Sequence, residues 1–282
     1  MDNIQPGQTI GAYRIINQIG QGGMATVFKA YHAAMDRYVA IKVLPRQLAE
    51  SAEFSGRFQQ EARIIANLEH AHILPVHDYG EADGFTYLIM RYMDAGTLKD
   101  RMKAGPLALN EIDRLFSQLA DALDYAHSKG VVHRDLKPAN VLVDARGSVF
   151  LTDFGIAKLL ESSSQFTSTG AMVGTPAYMS PEQVTDTDVD GRSDLYSLGI
   201  ILYEILTGRL PFSADSTTSL INARLTMPIP EVRSVQSNVP AAWQEVVGKA
   251  LARNPADRYQ SVGEFAQDVN AVVSGRWYLR KL

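Results

Sequence analysis

Residues 131–140, Val131-Val132-His133-Arg134-Asp135-Leu136-Lys137-Pro138-Ala139-Asn140, gather groups that could do chemistry into one short stretch. Asp135 and Asn140 are oxygen donors near enough in sequence to converge on one small volume if the stretch is a loop. Lys137 lies between them as a compact point charge suited to a phosphate oxygen. The run is entered from Val131-Val132 and left through Val141-Leu142-Val143, so it reads as a polar loop held rigid by buried ends. By itself the set points to charge-managed chemistry on a phosphorylated group.

Such a loop needs elements to position it and partners to complete it. Residues 13–19 have strand-like spacing, Gly20-Gln21-Gly22-Gly23 interrupts them, and 25–30 resume as a strand. The hairpin tip is poor in side chains, which lets backbone N–H groups approach a phosphate, although for such a motif alone a ligand-free glycine turn is the preferred reading. Strand–glycine–strand order argues against a dinucleotide site, which needs a helix after the glycines. The next strand, 37–43, contains Val39-Ala40-Ile41-Lys42. A lysine there needs an anion unless it snorkels from a sheet edge.

A helix is expected over 53–68, with Phe54, Phe58, Ala62, Ile65 and Leu68 forming its apolar stripe. Glu61 lies beside that stripe, and a Lys42–Glu61 ion pair would satisfy both charges. Strands at 73–79 and 85–91 complete an antiparallel sheet carrying one helix. Asp153-Phe154-Gly155 follows an apolar strand at 149–151, either as a placed carboxylate with a hinge behind it or as an ordinary turn.

Beyond residue 92 the composition turns helical. An amphipathic helix over 110–129 is stopped by Gly130. Residues 194–208 are apolar nearly all round, which suits the centre of a helical domain, with helices at 217–225, 241–251 and 261–274 around it. The hydroxyl-rich stretch 162–169 reads as a linker or a phosphorylation target. We divide the chain at 1–92, 93–275 and a tail, 276–282, read as the start of a linker. No internal repeat is visible.

With 282 residues, 46% of them hydrophobic, the chain can bury a large core. A net charge of −4 without a basic run gives no nucleic-acid footprint. The absence of cysteine excludes disulfides and thiolate metal sites. The first residues lack a signal-peptide pattern, and no apolar run is long enough to span a bilayer. A cytoplasmic location is expected, with membrane tethering of a longer protein left open.

The ordered motifs resemble the eukaryotic-like (Hanks-type) serine/threonine protein kinases of bacteria, over about residues 13–273. They are the glycine hairpin, the strand lysine, the helix glutamate, the His-Arg-Asp loop, Asp-Phe-Gly, and Gly174-Thr175-Pro176 through Pro181-Glu182. The resemblance implies an α+β, bilobal protein kinase fold: a small antiparallel N-lobe sheet with one main helix, and a larger, mainly helical C-lobe. It implies ATP as phosphoryl donor, Mg²⁺ (Mn²⁺ as an alternative) as metal, and protein substrates.

Carried over by residue, Ile19, Gly20, Gln21, Gly22, Gly23, Met24, Ala25 and Thr26 cover the phosphates. Lys42 pairs them and is held by Glu61. Asp153 and Asn140 take the metal, Asp135 accepts or orients the proton of the acceptor hydroxyl, and Lys137 steadies the γ-phosphate. Val27, Ala40 and Leu142 flank adenine, Met90 is the gatekeeper, and backbone groups of Arg91 and Met93 bond its edge.

His133, Phe154, Ile65 and Val76 are expected to stack as a spine anchored by Asp194, and Glu182 to pair with Arg258. Arg134 implies activation by autophosphorylation, for which Thr167 and Thr169 are the candidates. Thr175, expected against Asp135 and Lys137, favours serine and threonine acceptors. Homodimerisation through the N-lobe, common among such kinases, is allowed.

Ala25 for a third glycine, Ser180 before Pro181, and Arg91 at the hinge depart from the family pattern. The rivals are a pseudokinase scaffold, which should lack a catalytic group, and a small-molecule kinase, which has no need of the 174–182 platform.

Overall fold

The structure, a computed structural model, describes residues 4–21, 25–44, 52–154, 176–185 and 187–279. Strands β1 (Thr9–Ile10), β2 (Tyr13–Gln21), β3 (Thr26–His32), β4 (Arg37–Val43), β5 (Val76–Ala82) and β6 (Phe85–Arg91) form one antiparallel sheet. Its order is β1-β2-β3-β4-β6-β5, and helix α1 (Ala52–Ala66) packs on β5. Strand periodicity sorts the sheet's side chains between two cores. Val39, Ile41, Val43 and Ile89 join the outer cluster, whereas Ala40, Leu88 and Met90 join the cluster that continues into the second lobe. By the same alternation, Lys42 shares the inner face with Ala40.

A second, three-stranded sheet is built from β7 (Gly96–Thr97), β8 (Val141–Val143) and β9 (Val149–Leu151). Beside it run α2 (Leu98–Lys103) and α3 (Leu109–Ser128). Then follow α4 (Pro181–Val184), α5 (Gly191–Thr207), α6 (Thr217–Thr226), α7 (Val232–Val235), α8 (Ala242–Ala250) and α9 (Val262–Val273). Every residue from Ser193 to Tyr203 in α5 is buried, so this helix is the axis of the larger lobe. The expected two-lobe α+β architecture is present.

Three details differ from the sequence reading. The strand expected from residue 73 begins at Val76, because Ile73 bridges to Leu151 and the Leu74 N–H donates to the Leu151 carbonyl. Those residues tie the small lobe to β9 instead of extending its sheet. Helix α5 starts at Gly191 rather than 194, since the Asp190 side chain caps it by accepting from the Arg192 N–H. In the tail, Trp277 is only 5% exposed and belongs to the core, so the domain extends past residue 275.

Candidate active site

Asp194, in the first turn of α5, is fully buried and organises the polar loop from below. Its carboxylate accepts the backbone N–H groups of His133 at 2.8 Å and Arg134 at 2.9 Å, and lies 2.7 Å from His127 Nε2. Burial alone would raise its carboxyl, but the His127 hydrogen bond and the neighbouring imidazoles outweigh that and hold it below the usual carboxylate range. Burial likewise pulls His127 down, yet Asp194 overrides it and leaves the imidazole raised. With its backbone pinned at two successive residues, the loop can hold Arg134 at a left-handed φ of 68°.

The reactive end of the loop is closed by its own side chains. Lys137 Nζ sits 2.7 Å from Asp135 Oδ2, and Asn140 Nδ2 donates to that same oxygen at 3.0 Å and to the Asp135 carbonyl at 2.8 Å. The Asp135 carboxylate is thus oriented by a cation and an amide. The Asn140 carbonyl accepts the Thr152 N–H at 3.0 Å, fastening the loop to the residue before Asp153.

Across the cleft, Lys42 Nζ lies 2.8 Å from Asp153 Oδ1. Asp153 also has a left-handed φ, 67°, which turns it off the end of β9 toward β4. Burial pushes its carboxyl up, but Lys42 beside it more than compensates and keeps it below the ordinary range, hence ionised near neutral pH. The expected Lys42–Glu61 ion pair is not formed among the described residues; Lys42 takes Asp153 instead. The ammonium has donors to spare, so the absence of the Glu61 contact reflects where Glu61 stands rather than saturation by Asp153.

Phe154 is buried with its ring centroid 4.5 Å from that of His133, whose Nε2 lies 2.9 Å from the Thr152 carbonyl. Ile65, Val76, Met90 and Phe154 line one small cavity together with Asp153, and the His133–Phe154 contact is the part of the expected stack that the geometry shows directly. Ala40 and Met90 are buried on the same inner face, and Val27, Met93 and Leu142 pack against that core half-buried. The Arg91 N–H donates to the Pro75 carbonyl at 3.0 Å, which leaves the Arg91 carbonyl as its backbone group for an adenine edge. Gly20 and Gln21 end β2 opposite Val27 and Thr26, while Ile19 is exposed and Ala25 half-buried at the hairpin. Gly22, Gly23, Met24, Thr167, Thr169 and Thr175 lie outside the described residues.

The expected Glu182–Arg258 pair is present as a two-pronged contact, 2.7 and 2.8 Å, with Ser193 Oγ adding 2.6 Å to the carboxylate. Burial raises the Glu182 carboxyl, and the Arg258 and Ser193 hydrogen bonds turn the net effect downward. From the next turn of the chain, Gln183 Nε2 donates to the Arg134 carbonyl at 2.6 Å, joining this anchor to the polar loop. Gln183 and His127 escaped the sequence reading. His127 sits next to Ala126 on an amphipathic helix, where nothing separates a buried ion-pair partner from a surface histidine.

As metal donors, Asn140 and Asp153 are hard oxygen ligands. Among the described residues no group of three or more His, Cys, Asp or Glu side chains could cage an ion. A sparse oxygen set of this kind fits a small divalent cation shared with phosphate oxygens rather than one held by protein alone.

The sequence model described as protein kinase domain matches residues 13–270. The chain belongs to the protein kinase domain family. Serine/threonine-protein kinase PknD of Mycobacterium tuberculosis is 41% identical over 264 residues, 93% of this chain and 40% of that protein. PrkC of Bacillus subtilis is 39% identical over 260 residues, 92% and 40% respectively. PknH of Mycobacterium bovis is 37% identical over 95% of this chain and 45% of its own length. The chain therefore spans under half the length of these curated relatives. The crystal structure of the M. tuberculosis PknI kinase domain resembles this kinase domain with a TM-score of 0.78 at 32% identity, covering 96% of this chain and 99% of that one.

Proposed function

We propose that this kinase domain transfers the γ-phosphate of ATP to serine or threonine hydroxyls of proteins. The observation that carries the reading is the convergence of Asp135, Lys137 and Asn140 at one end of the cleft and Lys42 with Asp153 at the other. ATP with a divalent cation, Mg²⁺ on our reading, supplies the phosphoryl group and neutralises its charge; Asn140 and Asp153 would hold the cation. The chain's own work is alignment and electrostatics, which suits phosphoryl transfer.

Asp135, fixed by Lys137 and Asn140, presents its carboxylate to the acceptor hydroxyl and takes its proton as the new O–P bond forms and the bond from the γ-phosphorus to the ADP oxygen breaks, ADP leaving with the electron pair. Lys137 offsets negative charge on the γ-phosphate. Lys42 leaves Asp153 for the α- and β-phosphates when Glu61 comes within reach of it, so Glu61 acts through Lys42. Ala40, Val27 and Leu142 supply the apolar slot for a purine, and backbone groups of Arg91 and Met93 its polar edge.

A pseudokinase would want one of these groups missing, and Lys42, Glu61, Asp135, Asn140 and Asp153 are all present. The buried Glu182–Arg258 clamp favours a protein acceptor over a small molecule. ATP turnover with dephosphorylated casein, compared with Asp135→Asn, tests the assignment; equal transfer by both proteins would refute it. As a further part of the reading, Thr167 and Thr169 are autophosphorylated and their phosphates engage Arg134. Mass spectrometry after incubation with ATP should find phosphate within 162–169, and its absence there removes the switch.

A further inference from the structure

Between residue 175 and α4 the chain passes through Pro176, Ala177, Tyr178 and Met179, and all four of their carbonyls are held by side chains from the helical lobe. Ser197 Oγ donates to the Tyr178 carbonyl at 2.8 Å. The other three belong to one residue. Arg224 Nη1 donates to the Pro176 carbonyl at 2.6 Å and to that of Met179, and Nη2 donates to the Ala177 carbonyl at 2.7 Å.

Arg224 is 2% exposed and is the buried residue of α6, whose other side chains are partly or fully exposed. Among the described residues no carboxylate pairs with it, and its Nε has no partner. Burying a guanidinium without an acid is costly, and an apolar side chain would pin a short helix more cheaply. What an apolar residue cannot do is grip three carbonyls spread over four residues with one planar fork. The gripped stretch lies beside the reactive loop: Tyr178 and Pro138 line one cavity, and Gln183, a few residues on, donates to the Arg134 carbonyl.

We infer that Arg224 is a positioning residue for the protein acceptor: it sets the backbone of 176–179 beside the catalytic loop without touching nucleotide or metal. The inference rests on the kinase reading above. It separates acceptor binding from ATP binding, which a merely structural arginine would not do.

The test uses the 282-residue chain and its Arg224→Ala and Arg224→Lys variants, with initial rates measured while casein and ATP are varied separately. Loss of the fork should raise the KM for casein about tenfold, the lysine variant falling between, with the KM for ATP within about twofold of the parent. Arg253→Ala is the control, since Arg253 Nη2 donates to the Met227 carbonyl at the end of α6 and loosens the helix without touching 176–179. It should leave the casein KM in place.

An unchanged casein KM in Arg224→Ala, parallel rises for casein and ATP, or an equal effect of Arg253→Ala would each overturn the inference. Should the alanine variant not fold, the same comparison is read on Arg224→Lys. A parent chain that transfers no phosphate at all brings down the kinase reading and this inference together, whereas an active parent with an indifferent Arg224 removes only the latter.

Discussion

Two ion pairs in this molecule obey opposite rules. Glu182 and Arg258 are almost fully buried, meet through two hydrogen bonds, and have their remaining capacity taken by Ser193 and by carbonyls of Ala252, Arg192 and Arg253. Lys42 and Asp153 meet through one contact, with the Asp153 side chain 27% exposed. The first pair is saturated and therefore permanent. The second has a single prong, and on the mechanism proposed for this domain its cation leaves Asp153 for phosphate once Glu61 of α1 comes within reach. The difference separates a scaffold from a device: charge that must stay is multiply bonded, and charge that must move is bonded once.

The largest effect follows from breaking the saturated pair. Arg258→Ala leaves Glu182 buried without its cation and should destabilise the fold by about 3–5 kcal/mol, seen in denaturant unfolding. A loss below about 1 kcal/mol would show the pair to be no more than a surface contact. Next comes the mobile pair. Lys42→Met should lower phosphate transfer by roughly 10²–10³-fold while costing little stability, because the removed group serves charge in the cleft rather than the core. A matching collapse of the unfolding midpoint would erase the distinction drawn above.

Glu61→Gln sharpens the same point. Since Lys42 rests on Asp153 in this structure, the substitution should leave nucleotide-free stability unchanged and lower transfer by about tenfold or more. A stability loss equal to the Arg258→Ala value would mean that Glu61 is part of the scaffold.

The smallest effect is a pH slope. His127 has its folded pKa raised by Asp194, so its contribution is fully present below the ordinary imidazole value and fades as pH rises through the raised one. The unfolding midpoint should therefore fall across that window, above about pH 6.5, and His127→Gln should flatten that part of the profile. An unchanged slope in the variant would contradict the imidazolium–Asp194 assignment.

Much of this arrangement was readable from residues alone where a pattern is enforced by burial. Strand 37–43 came out with its limits intact because alternation there serves two cores, and α5 because a helix apolar all round has one place to go. The Glu182–Arg258 and Asp194 anchors followed from the family resemblance, not from spacing. What was hidden depends on three-dimensional choice. A lysine in a strand announces that it needs an anion, not which one. Arg224 lies in a helix with little amphipathic pattern, so its burial is invisible until the carbonyls it grips are seen. Trp277 follows a glycine and an arginine that look like the exit from a domain, yet its side chain belongs to the core.

The backbone at Arg134 and Asp153 carries a consequence for engineering. Both residues hold left-handed φ angles that cost non-glycine side chains on the order of 1–3 kcal/mol each, so the fold gives up thermodynamic margin to present its reactive groups. Glycine at position 134 would return part of that margin, raising the melting temperature while removing the cation offered to the loop. Selection for thermostability alone would thus be drawn to the residues flanking the chemistry, and the most robust descendants of this chain would be its poorest catalysts.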